Sequence, residues 1–165
     1  MSASSGWTSR VPSLGPRGEG WVAIQFVLIG AVVGAGFLPL RWPEGARDVL
    51  STAGAVLAVA GGLFAVWAAR TLGRSLTPFP KPAARGELVE AGPYRLVRHP
   101  IYGAAILFLA GFSLFVSAPA LAVTAALACV WALKARVEER LLAARYPGYG
   151  AYCARTPRRF LPYVW

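Results

Sequence analysis

"IYGAAILFLAGFSLFVSAPALAVTAALACVWAL", residues 101–133, is a run of 33 residues without a single charge. A helix rises about 1.5 Å per residue, so one continuous helix here would be near 50 Å long, well beyond the roughly 30 Å hydrocarbon core of a bilayer. The run has to fold back on itself. Its one turn-like interruption is Ser117-Ala118-Pro119, and proline suits the first turn of a new helix. The reading is a tight helical hairpin, with segments at 101–116 and 119–134.

Two further charge-free runs, 21–40 and 49–69, each match the ~20 residues a helix needs to cross that core. The 165-residue chain is 56% hydrophobic and only 15% charged, too apolar for an ordinary soluble domain. The expected fold is an all-α membrane protein. It has four transmembrane helices at about 21–40, 48–69, 101–116 and 119–134, in one domain over 21–165. Residues 1–20, rich in Ser, Gly and Pro, are expected to form a flexible leader. The first apolar run exceeds the usual h-region of about 7–15 residues and ends in Phe37-Leu38-Pro39-Leu40, so it reads as a true span and not a signal peptide. Gly30-x-x-x-Gly34 and Gly61-Gly62 would let helices approach closely.

The formal net charge is +10, which in a soluble protein would point to nucleic acid. The distribution points elsewhere. Of the 17 Lys and Arg, Arg10 and Arg17 precede the first span, and Arg41 and Arg47 in the next connection are offset by Glu44 and Asp48. All the rest lie in 70–100 or after Leu133. The positive-inside rule then puts both segments, and with four spans both termini, on the cytoplasmic side of an inner membrane. Anionic lipid headgroups are the expected partners of this charge, with no nucleic acid. Cys129 lies inside a span and Cys153 in the basic tail, so they read as reduced, and neither has a metal-ligand spacing.

Residues 70–100 carry five prolines in 31 residues, which excludes a continuous helix and demands a repeatedly turning cytoplasmic loop. Its Phe79, Leu88, Val89, Tyr94, Leu96 and Val97 favour packing over disorder. The last helical pattern continues past Lys134 through "KARVEERLLAARY" until Pro147-Gly148 stops it, so a helix projects from the membrane towards that loop. Loop and helix extension, 135–165, together form the expected pocket.

Two constellations in these segments could carry chemistry. His99 precedes a proline that suits the start of the third span, so it sits where free amides and the helix dipole favour an anionic ligand, and Arg98 adds a full charge. Tyr102 and Gly103, three and four residues on, share its face, Gly103 leaving room. The second constellation is Glu138-Glu139, with Arg136 three residues before Glu139 and Lys134 four before Glu138. By spacing alone these acids read as a solvated helix surface with weak ion pairs.

Their company changes that. "LGRSLTPFPKP…GELVEAGPYRLVRHPIYGA", an apolar hairpin and then "RVEERLLAARYPGYGAYCARTPRRFLP" together resemble the isoprenylcysteine carboxyl methyltransferase family of integral membrane enzymes, and more distantly the phospholipid N-methyltransferases. The resemblance spans about 72–162 and rests on G-x-Y-x-x-x-R-H-P-x-Y at 92–102 and on R-x-E-E with a later Y-x-x-Y at 136–152. It implies an S-adenosylmethionine-dependent enzyme that binds its cofactor from the cytosol and takes a lipophilic acceptor from the bilayer. On matching positions, Arg98, His99 and Tyr102 would contact the cofactor, Glu139 with Glu138 would hold its amino or ribose groups, and Leu88 and Val89 would line its adenosine. Arg136 stands where an arginine is implicated near the acceptor's carboxylate, and is the candidate catalytic residue. Many relatives have Phe-Gly where this chain has Tyr146-Pro147, and the eukaryotic enzymes have more N-terminal spans.

The implied acceptor is a carboxylate of an isoprenoid or prenylcysteine-like compound, already ionised at neutral pH and in need of no general base. A phospholipid or other amine would have to lose a proton, with Glu139 or His99 as base. A membrane NADPH-dependent reductase and a small transporter subunit are the alternatives of other classes. The transporter reading is weakened because all seven acidic residues fall outside the charge-free runs 21–40, 49–69 and 101–133.

Overall fold

The computed structural model describes residues 11–161 as five α-helices with no strand among them. They are α1 (Glu19–Ala35), α2 (Glu44–Leu72), α3 (Pro100–Val116), α4 (Ala118–Arg145) and α5 (Tyr149–Arg155), with short 3₁₀ turns at Gly73–Ser75 and Gly92–Arg95. α2 and α4 are long and apolar enough to cross a membrane, while α1 and α3 are apolar helices of 17 residues each. The outer face of α2 presents Val49, Val56, Val59 and Leu63, each more than 60% exposed. An apolar face of that extent belongs against lipid.

The hairpin folds as its sequence requires. Ser117 alone separates α3 from α4, in extended backbone. Its hydroxyl accepts from the Ala120 amide at 3.4 Å and donates to the Ala35 carbonyl at 3.1 Å, tying the turn to the end of α1. A turn below, the Ser113 and Thr124 hydroxyls meet at 2.9 Å. α4 does not stop where the apolar run ends at Leu133. It continues to Arg145 and ends before Pro147, as the pattern predicted.

The bounds of the first two helices differ from expectation. α1 ends at Ala35 instead of 40, because Pro39 offers no amide and disfavours helical backbone before it. α2 begins earlier, at Glu44, where Pro43 precedes the first turn and the acid sits at the positive end of the helix dipole. The flexible leader is also corrected in part. Trp21 Nε1 donates to the Pro12 carbonyl at 3.0 Å, the Arg17 guanidinium lies 4.0 Å over the Phe79 ring, and Gly18 (φ +85°) sits hard against Pro80. Arg17 and Gly18 thus touch the proline-rich loop and Pro12 touches α1, although residues 12–17 are exposed, and residues 1–10 lie outside the described residues.

α1 packs along α4, and α2 along α3, with α3 joining the two pairs. Of the predicted glycines Gly61 permits this, together with Gly54 and Gly111, which were not singled out. A Cβ on Gly61 would come 2.5 Å from the Phe108 amide nitrogen, and Gly54 and Gly111 are equally close to backbone across the α2–α3 seam. Gly30 and Gly34 face open space. Gly61→Ala therefore forces two backbones apart and should cost about 1–3 kcal/mol, whereas Gly34→Ala should be neutral or gain up to ~1 kcal/mol from helix propensity. Thermal unfolding of the two variants in detergent checks the contrast.

Candidate active site

Between the proline-rich loop and the projecting half of α4 lies a cavity of about 410 Å³, within the range of about 300–1,000 Å³ usual for small-molecule sites. One stripe of α4, Trp131, Lys134, Glu138 and Leu142, forms a wall at spacings of three and four. His99, Ile101 and Tyr102 come from the start of α3, Gln25 from α1, and Tyr149 and Tyr152 from α5. Loop residues 75–89 close the remaining side with Leu76, Pro78, Leu88 and Val89.

Side chains clip that loop in place. Ser75 Oγ bonds both the amide and the carbonyl of Glu87, at 2.9 and 3.1 Å. Tyr146 donates its phenol to the Gly86 carbonyl at 2.7 Å, and Tyr152 donates to the Tyr94 carbonyl at 2.8 Å. Burial pushes the Tyr94, Tyr149 and Tyr152 phenols up from their ordinary value, so all three stay neutral.

Pro100 opens α3 and His99 is its N-cap, and the two amides just before the helix are taken by the tail. The amides of Arg98 and His99 donate to the carbonyls of Arg158 and Arg159 at 3.0 and 2.8 Å, so the tail straps across the helix start. Arg98 is committed too. Its Nε donates to Glu139 at 2.8 Å and its Nη1 to the Thr156 and Pro157 carbonyls, each at 2.7 Å. Gly103 leaves room for this tail and not for a ligand, since a Cβ there would lie 2.0 Å from the Phe160 carbonyl oxygen.

The two adjacent acids have different jobs. Glu139 is 1% exposed and is held by Arg98, by His99 Nε2 at 3.3 Å and by Arg159 at 3.0 Å. Burial alone would raise its pKa, but His99 and Arg98 outweigh it and hold the carboxyl at about 2. Glu138, one residue earlier, turns into the cavity. There it accepts from the Tyr102 hydroxyl at 2.8 Å and faces His99 Nδ1 at 3.9 Å. Tyr102 is the middle of an aromatic stack, its ring centroid 5.5 Å from His99 and 5.7 Å from Trp131.

Six of the eight predicted site residues line the cavity: Leu88, Val89, Arg98, His99, Tyr102 and Glu138. Glu139 does not, being spent on holding Arg98 and His99 in place. Arg136 does not either, because it is exposed on another face of α4. Lys134 occupies the wall instead, with Gln25 and Trp131. Gln25 carried a signal that was overlooked, as the lone polar side chain in the 21–40 run. Lys134 carried one in its four-residue spacing to Glu138.

The profile of one family, "Phospholipid methyltransferase", matches residues 49–148, from the start of the apolar part of α2 through the cavity wall of α4. The chain belongs to that family. Membership in the phospholipid methyltransferase family agrees with the lipid-facing surface of α2. Two curated relatives are similar over most of the chain. One is the cobalt-zinc-cadmium resistance protein CzcN of Cupriavidus metallidurans, 33% identical over 84% of this chain and 60% of its own length. The other is the nickel-cobalt-cadmium resistance protein NccN of Alcaligenes xylosoxydans xylosoxydans, 30% identical over 84% of this chain and 61% of its own. This member of the family thus spans about three-fifths of the relatives it matches.

Proposed function

We propose that the chain transfers a methyl group from S-adenosylmethionine to a lipophilic acceptor at the cytoplasmic face of the inner membrane. The observation that carries this reading is the Glu138–Tyr102–His99 cluster, facing a cavity roofed by an apolar loop at the end of a lipid-facing helix bundle. The residues fit the cofactor's chemistry. Glu138 offers a carboxylate to an ammonium or ribose hydroxyls, Leu88 and Val89 offer an apolar surface to adenine, and the Tyr102–Trp131 faces suit a sulfonium cation. When bound, S-adenosylmethionine supplies an electrophilic methyl whose bond to sulfur breaks, the electron pair staying on sulfur, as the acceptor's lone pair bonds the carbon.

What the chain itself supplies is alignment and exclusion of water. Methyl transfer needs donor and acceptor held in line, and the clipped loop with the aromatic stack gives a rigid, dry wall for that. Four spans, α1 to α4, complete the proposal, since helices of 17 residues stand at the lower limit of about 17 for crossing. The acceptor we favour remains an isoprenoid or prenylcysteine-like carboxylate. A phospholipid amine is the second reading and draws on the family, with the Glu138–His99 pair as the base it would require. The relatives' names concern metal resistance, but among the described residues no group of three or more His, Cys, Asp or Glu side chains is arranged to hold a metal ion.

Calorimetry on the purified protein in detergent tests the proposal. Binding of S-adenosylmethionine is expected, with NADPH at least about tenfold weaker. Folded protein that binds NADPH and not S-adenosylmethionine would turn the reading to a reductase.

A further inference from the structure

Lys134 is the first charged residue after the 33-residue apolar run, and it is 1% exposed. Its ammonium donates to Gln25 Oε1 at 2.6 Å and to the Pro78 carbonyl at 2.7 Å, and lies 5.4 Å from the centre of the Tyr102 ring. Gln25 is itself held by Trp131 Nε1 at 3.2 Å. All these partners are neutral. Among the described residues no carboxylate comes within 4.0 Å of the ammonium: Glu138, one turn along the helix, is bonded to Tyr102, and Glu139 is taken by Arg98, His99 and Arg159. The nearest acid, Glu138, attracts this ammonium only from beyond ion-pair distance, and a buried cation so weakly compensated at a cavity wall is costly unless a ligand brings more of the opposite charge.

We infer that Lys134, positioned by Gln25 and Pro78, is the subsite for the acidic group of the methyl acceptor, and so selects anionic lipophilic acceptors over neutral ones. The inference rests on the methyltransferase reading and adds the substrate class to it. Position favours the acceptor over the cofactor. Lys134 lies where the cavity meets α1 and the apolar part of α4, one turn from Trp131, whereas Glu138 lies one turn further from the apolar run, against Tyr102 and His99 at the start of α3. An acceptor arriving tail-first among apolar helices would leave its head at the first charge beyond them. Arg136, exposed on another face, cannot serve this purpose.

The test measures affinities of the purified full chain for a farnesyl-chain carboxylate, for farnesyl phosphate and for neutral farnesol, with S-adenosylmethionine affinity measured separately. Wild type should bind at least one of the two anions about tenfold or more tighter than farnesol, the scale of one charge-assisted hydrogen bond. Lys134→Met should erase that ratio, Lys134→Arg should restore most of it, and both should keep cofactor affinity within about threefold. A merely structural lysine would leave the ratio unmoved in whichever variant stays folded. Equal affinities in wild type, or no binding of any of the three, overturn the inference. So does a Lys134→Met protein that keeps the ratio but loses cofactor affinity, which would give the ammonium to the cofactor's carboxylate. Wild type that fails to bind S-adenosylmethionine sinks the methyltransferase reading separately.

Discussion

Glu139→Ala should destabilise the chain by about 3–5 kcal/mol and abolish cofactor binding, although the residue lines no cavity. The carboxylate is buried among Arg98, His99 and Arg159, and its removal leaves the buried Arg98 guanidinium without its anion. Arg98 would retain only the Thr156 and Pro157 carbonyls, and the strap that those contacts anchor crosses the start of α3. Glu139→Gln keeps hydrogen-bonding capacity without charge and should fall between the two. The sign of the pH dependence follows from the pKa. The folded carboxyl is held at about 2 against an ordinary 4.5, so its contribution is fully present above pH 4.5 and lost as pH falls towards 2. Unfolding in detergent across that window, with wild type and Glu139→Gln compared, reads it directly. A Glu139→Ala protein as stable as wild type would remove the charge cluster from the account of the fold.

Glu138→Ala should behave in the opposite way, with transfer activity down by about a hundredfold or more, near 2.7 kcal/mol of transition-state stabilisation, and stability within about 1 kcal/mol of wild type. Its carboxylate is partly open to the cavity and bonds only the Tyr102 hydroxyl, so little of the fold depends on it. Arg136→Ala is the control. An exposed side chain outside the cavity should change activity by no more than about twofold. Kinetics with labelled methyl donor, set beside unfolding curves, separates the three variants. Equal losses for Glu138→Ala and Arg136→Ala would contradict the assignment of the cavity wall.

The contrast between these neighbours marks how far the site could be read in advance. The R-H-P-x-Y and E-E elements pointed to the helix start and the stretch of α4 that border the cavity, because such residues are conspicuous beside long apolar runs. Successive helix residues are separated by about 100° around the axis, so the pattern alone could not say which acid faced the ligand. Packing decided it. α4 turns Trp131, Lys134, Glu138 and Leu142 towards α1, α3 and the loop, which brings Glu138 into the cavity, buries Glu139 beneath it and leaves Arg136 outside. The glycines tell the same story, since Gly30-x-x-x-Gly34 and Gly61 look equivalent until a partner helix is beside one of them.

Local chemistry along the chain settles the helical class, the reversal at Ser117, the proline that opens α3 and the stop before Pro147, because each depends on charge, hydropathy or a backbone restriction within a few residues. The tail strap on α3, Gln25 meeting Lys134 across 109 positions, and the separate duties of two adjacent glutamates come only from the folded chain. They require distant segments to be neighbours, and no local preference encodes that.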